Sequence, residues 1–276
     1  MQTVNKLSIL LVGSIMLLAT LCPALTISGA MMAPKMDGVQ VSESSWSSSN
    51  WCGYAVTSSS GSVTSASGSW TVPAVTGASG GYAAFWTGID GFSSSTVEQT
   101  GTLSETTANG PVYYAWYEFY PSPMYQITSM QVNPGDKISA TVKYTGSSTS
   151  KGFFRRTTST FSISITDTTT GKSFSTSAGV ANAARTSAEW IAEAPSSSGG
   201  VLPLANFGTG SFGSDTTSVT GTCYCSLGGT SAPIGSFGSA VQSITMVSKS
   251  GAVKASTSGL STDGTSFTAT WVSAGP

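Results

Sequence analysis

Histidine is absent from this chain of 276 residues, and charged residues make up only 8% of it. Without histidine, Ser-His-Asp and Cys-His nucleophilic catalysis are excluded, and a catalytic zinc site loses its commonest ligand. Eleven basic residues nearly balance twelve acidic ones, for a net charge of −1. No basic footprint for nucleic acid is present, and no polybasic membrane patch. The polar surface falls instead to Ser, Thr, Asn and Gly, whose state hardly changes with pH. Acid unfolding works mainly by protonating ionised carboxylates and charging buried neutral histidines. This chain has few of the first and none of the second, which suits it to acidic surroundings.

Cysteine is scarce as well, with four in all. Cys22 lies in an N-terminal apolar run, which leaves Cys52, Cys223 and Cys225. In an oxidising compartment an odd count implies one bridge and one spare thiol, or no bridge at all, with Cys52 to Cys223 or Cys225 the preferred pairing. The Cys-Tyr-Cys at 223–225 has neither histidine nor a nearby carboxylate to complete a metal site. No metal or cofactor is expected. Gly-rich phosphate loops are missing, as are the Asp-Thr-Gly and Asp-Ser-Gly signatures of paired-aspartate peptidases. A Ser-x-x-Lys spacing at Ser148 and Lys151 sits in a Ser/Thr-rich stretch, where chance produces it easily.

Long apolar runs are limited to one. Lys6 precedes residues 7–21, followed by Pro23 and small residues ending in Ser28-Gly29-Ala30, the pattern of a signal peptide over 1–30. A secreted, extracellular protein is expected, with membrane association only if that segment is retained. Residues 31–48 read as a linker or short propeptide, and 49–276 as one domain. Within it, runs rich in Val, Ile, Thr and aromatics alternate with Gly/Ser/Pro/Asn clusters and show almost no helical period. Strands are expected at 68–73, 82–90, 96–103, 112–120, 137–144, 161–167, 187–194, 202–207, 240–247, 252–256 and 266–272. Longer loops are expected at 147–160 and 173–186. The fold class is all-β, a sandwich or barrel.

Strand alternation then sorts side chains by face. Glu189, Ile191 and Glu193 share one face, with Trp190 opposite. Tyr114, Trp116, Glu118 and Tyr120 share a face, as do Val97, Gln99 and Gly101, while Glu98 points the other way. With histidine chemistry excluded, carboxylates remain. Asp136 and Asp263 sit in turn signatures and Asp167 ends a strand. Glu189 and Glu193 are about 13 Å apart along one strand, whereas a glycosidase pair needs about 5–9.5 Å. A glycoside hydrolase would have to pair Glu118 with Glu189 across strands, which the residues leave open. A non-catalytic carbohydrate-binding sandwich is a third reading.

Five blocks in order narrow this. Ser49-Asn50-Trp51-Cys52-Gly53-Tyr54-Ala55 and Gly68-Ser69-Trp70-Thr71-Val72-Pro73 resemble the opening of the glutamic peptidases, the eqolisin family. Phe85-Trp86-Thr87-Gly88-Ile89-Asp90-Gly91 with Val97-Glu98-Gln99-Thr100-Gly101 is similar to the family's glutamine segment. Tyr114-Ala115-Trp116-Tyr117-Glu118-Phe119-Tyr120-Pro121 is similar to its aromatic strand. Ala188-Glu189-Trp190-Ile191-Ala192-Glu193, followed by Leu202-Pro203-Leu204-Ala205-Asn206-Phe207-Gly208, resembles the strand with the catalytic glutamate. The resemblance implies an antiparallel two-sheet β-sandwich of concanavalin or jelly-roll type. It implies a monomeric acid endopeptidase acting on proteins or peptides without a cofactor. It puts the general base on Glu189 and the oxyanion partner on Gln99, with Trp51, Trp86, Asp90, Trp116 and Glu118 lining or supporting the site. Tyr114 departs from the pattern, standing where an acidic residue is expected. Glutamate suits a base that works in acid, because it can take a proton near pH 4, where histidine is already charged. A glutamine amide is uncharged at any pH and offers both a donor and an acceptor.

Overall fold

The computed structural model describes residues 35–151 and 155–275, so the expected signal peptide lies outside the described residues. In chain order the strands begin with β1 (Gly38–Ser42), β2 (Ser45–Ser48), β3 (Trp51–Thr57), β4 (Val63–Thr71), β5 (Tyr82–Ile89), β6 (Val97–Thr107) and β7 (Gly110–Tyr120). They continue with β8 (Tyr125–Gln131), β9 (Lys137–Thr149), β10 (Thr157–Asp167), β11 (Lys172–Ala181), β12 (Ser187–Glu193), β13 (Ser196–Ser197) and β14 (Gly200–Val201). The last are β15 (Thr209–Phe212), β16 (Tyr224–Leu227), β17 (Thr230–Pro233), β18 (Val241–Val247), β19 (Val253–Thr257) and β20 (Phe267–Trp271). One helical turn (Ser214–Thr217) and a 3-10 segment (Ile234–Ala240) are the helical elements among the described residues.

Two layers result. The first runs β8–β7–β6–β5–β12–β3–β18–β2–β1, antiparallel except for the parallel pair β2/β18. The second runs β11–β10–β9–β4–β16–β17. β15, β20 and β19 connect β4 back to β18. The protein is an all-β antiparallel sandwich, not a closed barrel. Its composition explains the layering. β3 is buried at six of seven positions and β12 at all seven, so both faces of these central strands are covered and the usual polar alternation is lost.

Between the layers lies the main core, with Trp70, Phe85, Phe161, Trp190 and Phe212. Phe85, Phe212 and Phe267 stack in series at 5.4 and 4.7 Å between ring centroids. A separate apolar cluster of Trp51, Trp86, Leu103, Trp116, Met124 and Ile191 lies on the opposite face of the first sheet. Among the described residues no helix is long and apolar enough to cross a membrane.

Several expectations are corrected. Residues 173–186 are mostly strand: β11 is a Ser/Thr-rich edge paired along its whole length with β10, and Ser/Thr repeats serve an exposed edge as readily as a loop. Residues 147–149 and 157–160 belong to β9 and β10 and lengthen that hairpin beyond the expected strands. Residues 202–207 form only isolated bridges at Leu204 and Asn206, since Pro203 has no N–H to give a ladder. Part of the expected linker, from Met36 on, is ordered and adds β1 and β2 to the first sheet. The three described cysteines are free thiols rather than a bridged pair plus one. Burial pushes each thiol up to about 12, which keeps them unreactive.

Candidate active site

Strand register builds the site row by row. Glu189 pairs with Gly88 of β5 on one side and with Ala55 of β3 on the other. Gly88 pairs onward with Gln99, and Gln99 with Glu118; Ala55 pairs with Gln242. Paired residues point to the same face, so one row across the sheet reads Glu118, Gln99, Gly88, Glu189, Ala55, Gln242. The next row reads Trp116, Gly101, Trp86, Ile191, Gly53. A third reads Tyr114, Leu103, Ala84, Glu193, Trp51. All three rows lie on the face turned away from the second sheet, where the tryptophan-rich cluster sits.

Glu189 and Gln99 are thus two strand spacings apart, about 10 Å between backbones, with only a glycine between them. That glycine is required. A Cβ at Gly88 would stand 2.9 Å from the Glu98 carbonyl oxygen, 3.0 Å from the Gln99 Cβ and 3.1 Å from the Trp86 ring. No side chain fits between the carboxylate and the amide at this position of the row.

Glu189 is fully buried, and neither of its carboxyl oxygens has a hydrogen-bond partner. Burial pushes its pKa well above the usual carboxylate range, and the charges of Asp90 and Glu98 push the same way. The nearby Ser187 hydroxyl pulls the other way, although no hydrogen bond closes between them. The expectation of an ordinary carboxylate pKa is therefore corrected: a low-dielectric setting favours the neutral acid until a donor reaches it. Gln99 is also fully buried; its Nε2 donates to Glu118 Oε2 at 2.6 Å, while its Oε1 has no partner. Burial raises Glu118 to about 8, and the Gln99 amide lowers it in part. Glu118 is neutral at acidic pH, and its carboxyl oxygen still accepts from the amide.

The tryptophans surround this row. Trp51 and Trp86 meet edge to face at 5.0 Å, and Trp86 Nε1 donates to Glu193 Oε2 at 2.8 Å. Glu193, read from strand spacing as outside the catalytic pair, is a buried acceptor for an indole. The indole nitrogens of Trp51 and Trp116 are buried without partners. Asp90 stands apart from the row as a clamp. Its carboxylate accepts from the backbone N–H groups of Arg185 at 2.7 Å and Thr186 at 2.9 Å, and from the Thr186 hydroxyl at 3.1 Å. Those residues lead directly into β12, so Asp90 fixes where the strand carrying Glu189 begins.

Sequence reasoning missed Gly88, Ala55 and Gln242 as members of the row. The glycine inside the strand block at 85–91 was the available signal, since a strand glycine marks a close approach. A cleft of 540 Å³, lined by Thr96, Phe119, Arg156 and Val180 among others, contains none of the expected site residues. Among the described residues, no group of three or more His, Cys, Asp or Glu side chains is placed to hold a metal ion.

Comparison with known proteins gives a consistent set of relatives. The sequence model of the Peptidase A4 family matches residues 49–263. Aspergillopepsin-2 of Aspergillus niger is 32% identical over 186 residues, which cover 60% of this chain and 62% of that protein; the match therefore spans less than two thirds of that relative. The fold matches a crystal structure of scytalido-glutamic peptidase with a transition state analog inhibitor, at TM-score 0.63 and 24% identity, over 81% of this chain and 98% of that one. It also matches aspergilloglutamic peptidase from Aspergillus niger, at TM-score 0.53 and 26% identity, over 70% of this chain and 99% of that one.

Proposed function

The chain belongs to the Peptidase A4 family, the eqolisin glutamic peptidases, and on that premise we propose that it is an exported acid endopeptidase with Glu189 as general base and Gln99 as oxyanion partner. It acts as a monomer on proteins and peptides. The observation that carries this reading is a concentration of unsatisfied polar atoms. Buried polar groups are nearly always hydrogen-bonded. Of the nine buried side-chain atoms without partners among the described residues, seven belong to Trp51, Gln99, Tyr114, Trp116, Ser187 and Glu189. By strand alternation all seven are on the face that carries Glu189. Such a face is built to bond something other than the protein.

The chemistry follows from the donors available. A water between Glu189 and Gln99 would donate to the carboxylate and to Gln99 Oε1. Donation to Glu189 favours its ionised form and brings its pKa back toward the acidic range. As the water oxygen attacks the peptide carbonyl carbon, its proton passes to Glu189, and the carbonyl electrons move to oxygen. One Nε2 hydrogen of Gln99 is engaged by Glu118; the other is available to that oxyanion. When the tetrahedral intermediate collapses, the C–N bond breaks and Glu189 returns the proton to the leaving amine. Glu118 takes the role of a positioning residue, holding the amide so that both its free acceptor and its free donor face the same space.

The glycoside hydrolase reading fares less well on geometry. Glu118 and Glu189 are three strand spacings apart, about 14 Å between backbones, with Gln99 between them and bonded to Glu118. The two readings separate experimentally. Glu189→Gln should lower casein cleavage at about pH 2–5 by about 10³-fold or more, and Gln99→Ala by about 10²–10³-fold, with the fold retained. Full activity in Glu189→Gln sinks the peptidase reading. Glu118→Gln keeps an acceptor for Gln99 and should retain measurable peptidase activity, whereas a glycosidase would lose its reaction entirely.

A further inference from the structure

Residues 36–48 precede the family-matched region, and sequence patterning alone reads them as linker or propeptide. Their contacts are those of a built-in part of the site. Asn50, at the start of the family region, is fully buried, and its carboxamide is satisfied by this segment and by Lys35 just before it. Asn50 Oδ1 accepts from the Asp37 N–H at 3.0 Å and the Ser48 hydroxyl at 2.8 Å, and its Nδ2 donates to the Lys35 carbonyl at 3.4 Å. The Ser48 hydroxyl also accepts from the Trp51 N–H at 3.1 Å. Removing the segment would leave a buried amide and the backbone of Trp51 without partners, which is costly.

Two further contacts tie the segment to the loop after β5, next to Asp90. The Met36 N–H donates to the Gly91 carbonyl at 2.9 Å, and Trp46 packs edge to face on Phe92 at 5.0 Å. Gly91 itself lies against Trp51, where an added Cβ would stand 3.1 Å from the Trp51 Cη2. The Trp46 indole N–H donates to Gln242 Oε1 at 3.0 Å, and Gln242 ends the row that holds Glu189, with only Ala55 between. Met36 and Phe92 are buried in the same apolar cluster as Trp51, Trp86 and Ile191, with Trp46 packed on its edge.

We propose that residues 36–48 are retained in the working enzyme, where Met36, Trp46 and Phe92 form an apolar wall at the Gln242 end of the row that holds Glu189. This wall, which lies partly outside the region shared with the family, selects a large apolar side chain on that side of the bond cleaved. The inference rests on the peptidase reading for its substrate, and on the contacts above for its architecture. A removable propeptide has no need to satisfy a buried amide of the domain it leaves. The one mixed feature of the segment is β1, whose Val39 and Val41 face solvent; β1 covers the edge of β2.

The test uses the full chain, matured by its own host and purified by activity. Intact mass and N-terminal sequencing should place the start of the active species at or before Met36. An active species that starts at Ser49 or later overturns the proposal. The selectivity is read with a peptide library digested by wild type, Trp46→Ala and Trp46→Phe. Trp46→Ala should lower kcat/KM about tenfold for peptides with Leu, Met or Phe at the selected position, and leave peptides with Ala there within about twofold. Trp46→Phe keeps the ring and should keep the preference. An equal fall across all peptides, or no change in Trp46→Ala, overturns the wall. If Trp46→Ala does not fold, Phe92→Ala supplies the same comparison from the other side of the contact. Loss of activity in Glu189→Gln with an unchanged library preference in Trp46→Ala would leave the peptidase reading standing and remove this inference alone.

Discussion

The two faces of the first sheet are made from the same residue types and differ in how completely they are satisfied. On the face toward the second sheet, Trp190 Nε1 donates to the Ser67 carbonyl at 2.8 Å, and Trp70, reaching across from β4, donates to the Thr102 hydroxyl at 2.9 Å. On the opposite face, Trp51 and Trp116 are as deeply buried, yet their indole nitrogens have no partner. Both faces exclude water from large aromatics. Seven of the nine buried unpartnered side-chain atoms among the described residues lie on one face, the one that carries Glu189 and Gln99; the other two are the carboxyl oxygens of Glu98. Burial alone therefore does not separate core from site in this protein; hydrogen-bond satisfaction does.

The comparison is tested hardest on the satisfied face. Trp190→Ala removes a fully buried ring from the inter-sheet core and leaves the Ser67 carbonyl without its donor. Thermal or urea unfolding should show a loss of about 3–5 kcal/mol. A loss below about 1 kcal/mol would mean that this face is not the structural one.

Glu98 is the exception to the pattern. It belongs to the inter-sheet side, since it pairs with Ile89 and Phe119, both members of the main core. It is nonetheless fully buried with both oxygens unpartnered. Burial holds its pKa well above the usual range, and the charge of Asp90 adds to this. Because the folded value is raised, the folded protein binds this proton more tightly than the unfolded chain does. The resulting stability is fully present below the unfolded value, about pH 4.5, and is lost as pH rises toward the folded one. Glu189 acts in the same sense, and so does Glu118, over a window from 4.5 to about 8. Stability should therefore fall as the solution is made neutral. Glu98→Gln, which is uncharged throughout, should flatten that fall by up to about 1.4 kcal/mol per pH unit. Urea midpoints at pH 4, 6 and 7.5 check it; parallel curves for variant and wild type would show that Glu98 is not buried as a neutral acid.

Sequence patterning caught the satisfied face better than the open one. Alternation in β12 correctly set Trp190 against Glu189, and alternation in β6 set Glu98 against Gln99, because a strand buried on both sides keeps its period even when its polarity does not. The absence of histidine directed attention to carboxylates. What could not be read was the register between strands distant in sequence. That Gly88 stands between Glu189 and Gln99, and that Gln242 closes the same row, depends on the pairing of β5, β6, β12, β3 and β18, which no local pattern encodes. The pKa of Glu189 was misjudged for the same reason: its burial is set by neighbours, not by its own strand. β1 and β2 were missed because their Ser-rich composition matches that of a linker, and only their pairing with β18 gives them structure.

The smallest effect is the most discriminating. Trp116 and Trp190 are both fully buried, so a reading based on burial alone gives the same outcome for replacing either with phenylalanine. Hydrogen bonding separates them. In Trp190→Phe the lost indole N–H leaves the Ser67 carbonyl unsatisfied, and the variant should lose about 1–3 kcal/mol from that bond on top of the packing defect. In Trp116→Phe no protein acceptor loses its donor, and the stability change should stay near the packing term alone, about 1 kcal/mol. If the open face works as proposed, Trp116→Phe should instead change KM or kcat for peptide cleavage, because its N–H faces the space where substrate or water binds. Paired urea melts and steady-state kinetics on the two variants measure both quantities. Equal stability losses with unchanged kinetics in Trp116→Phe would mean that unsatisfied polar atoms do not mark the site in this sheet.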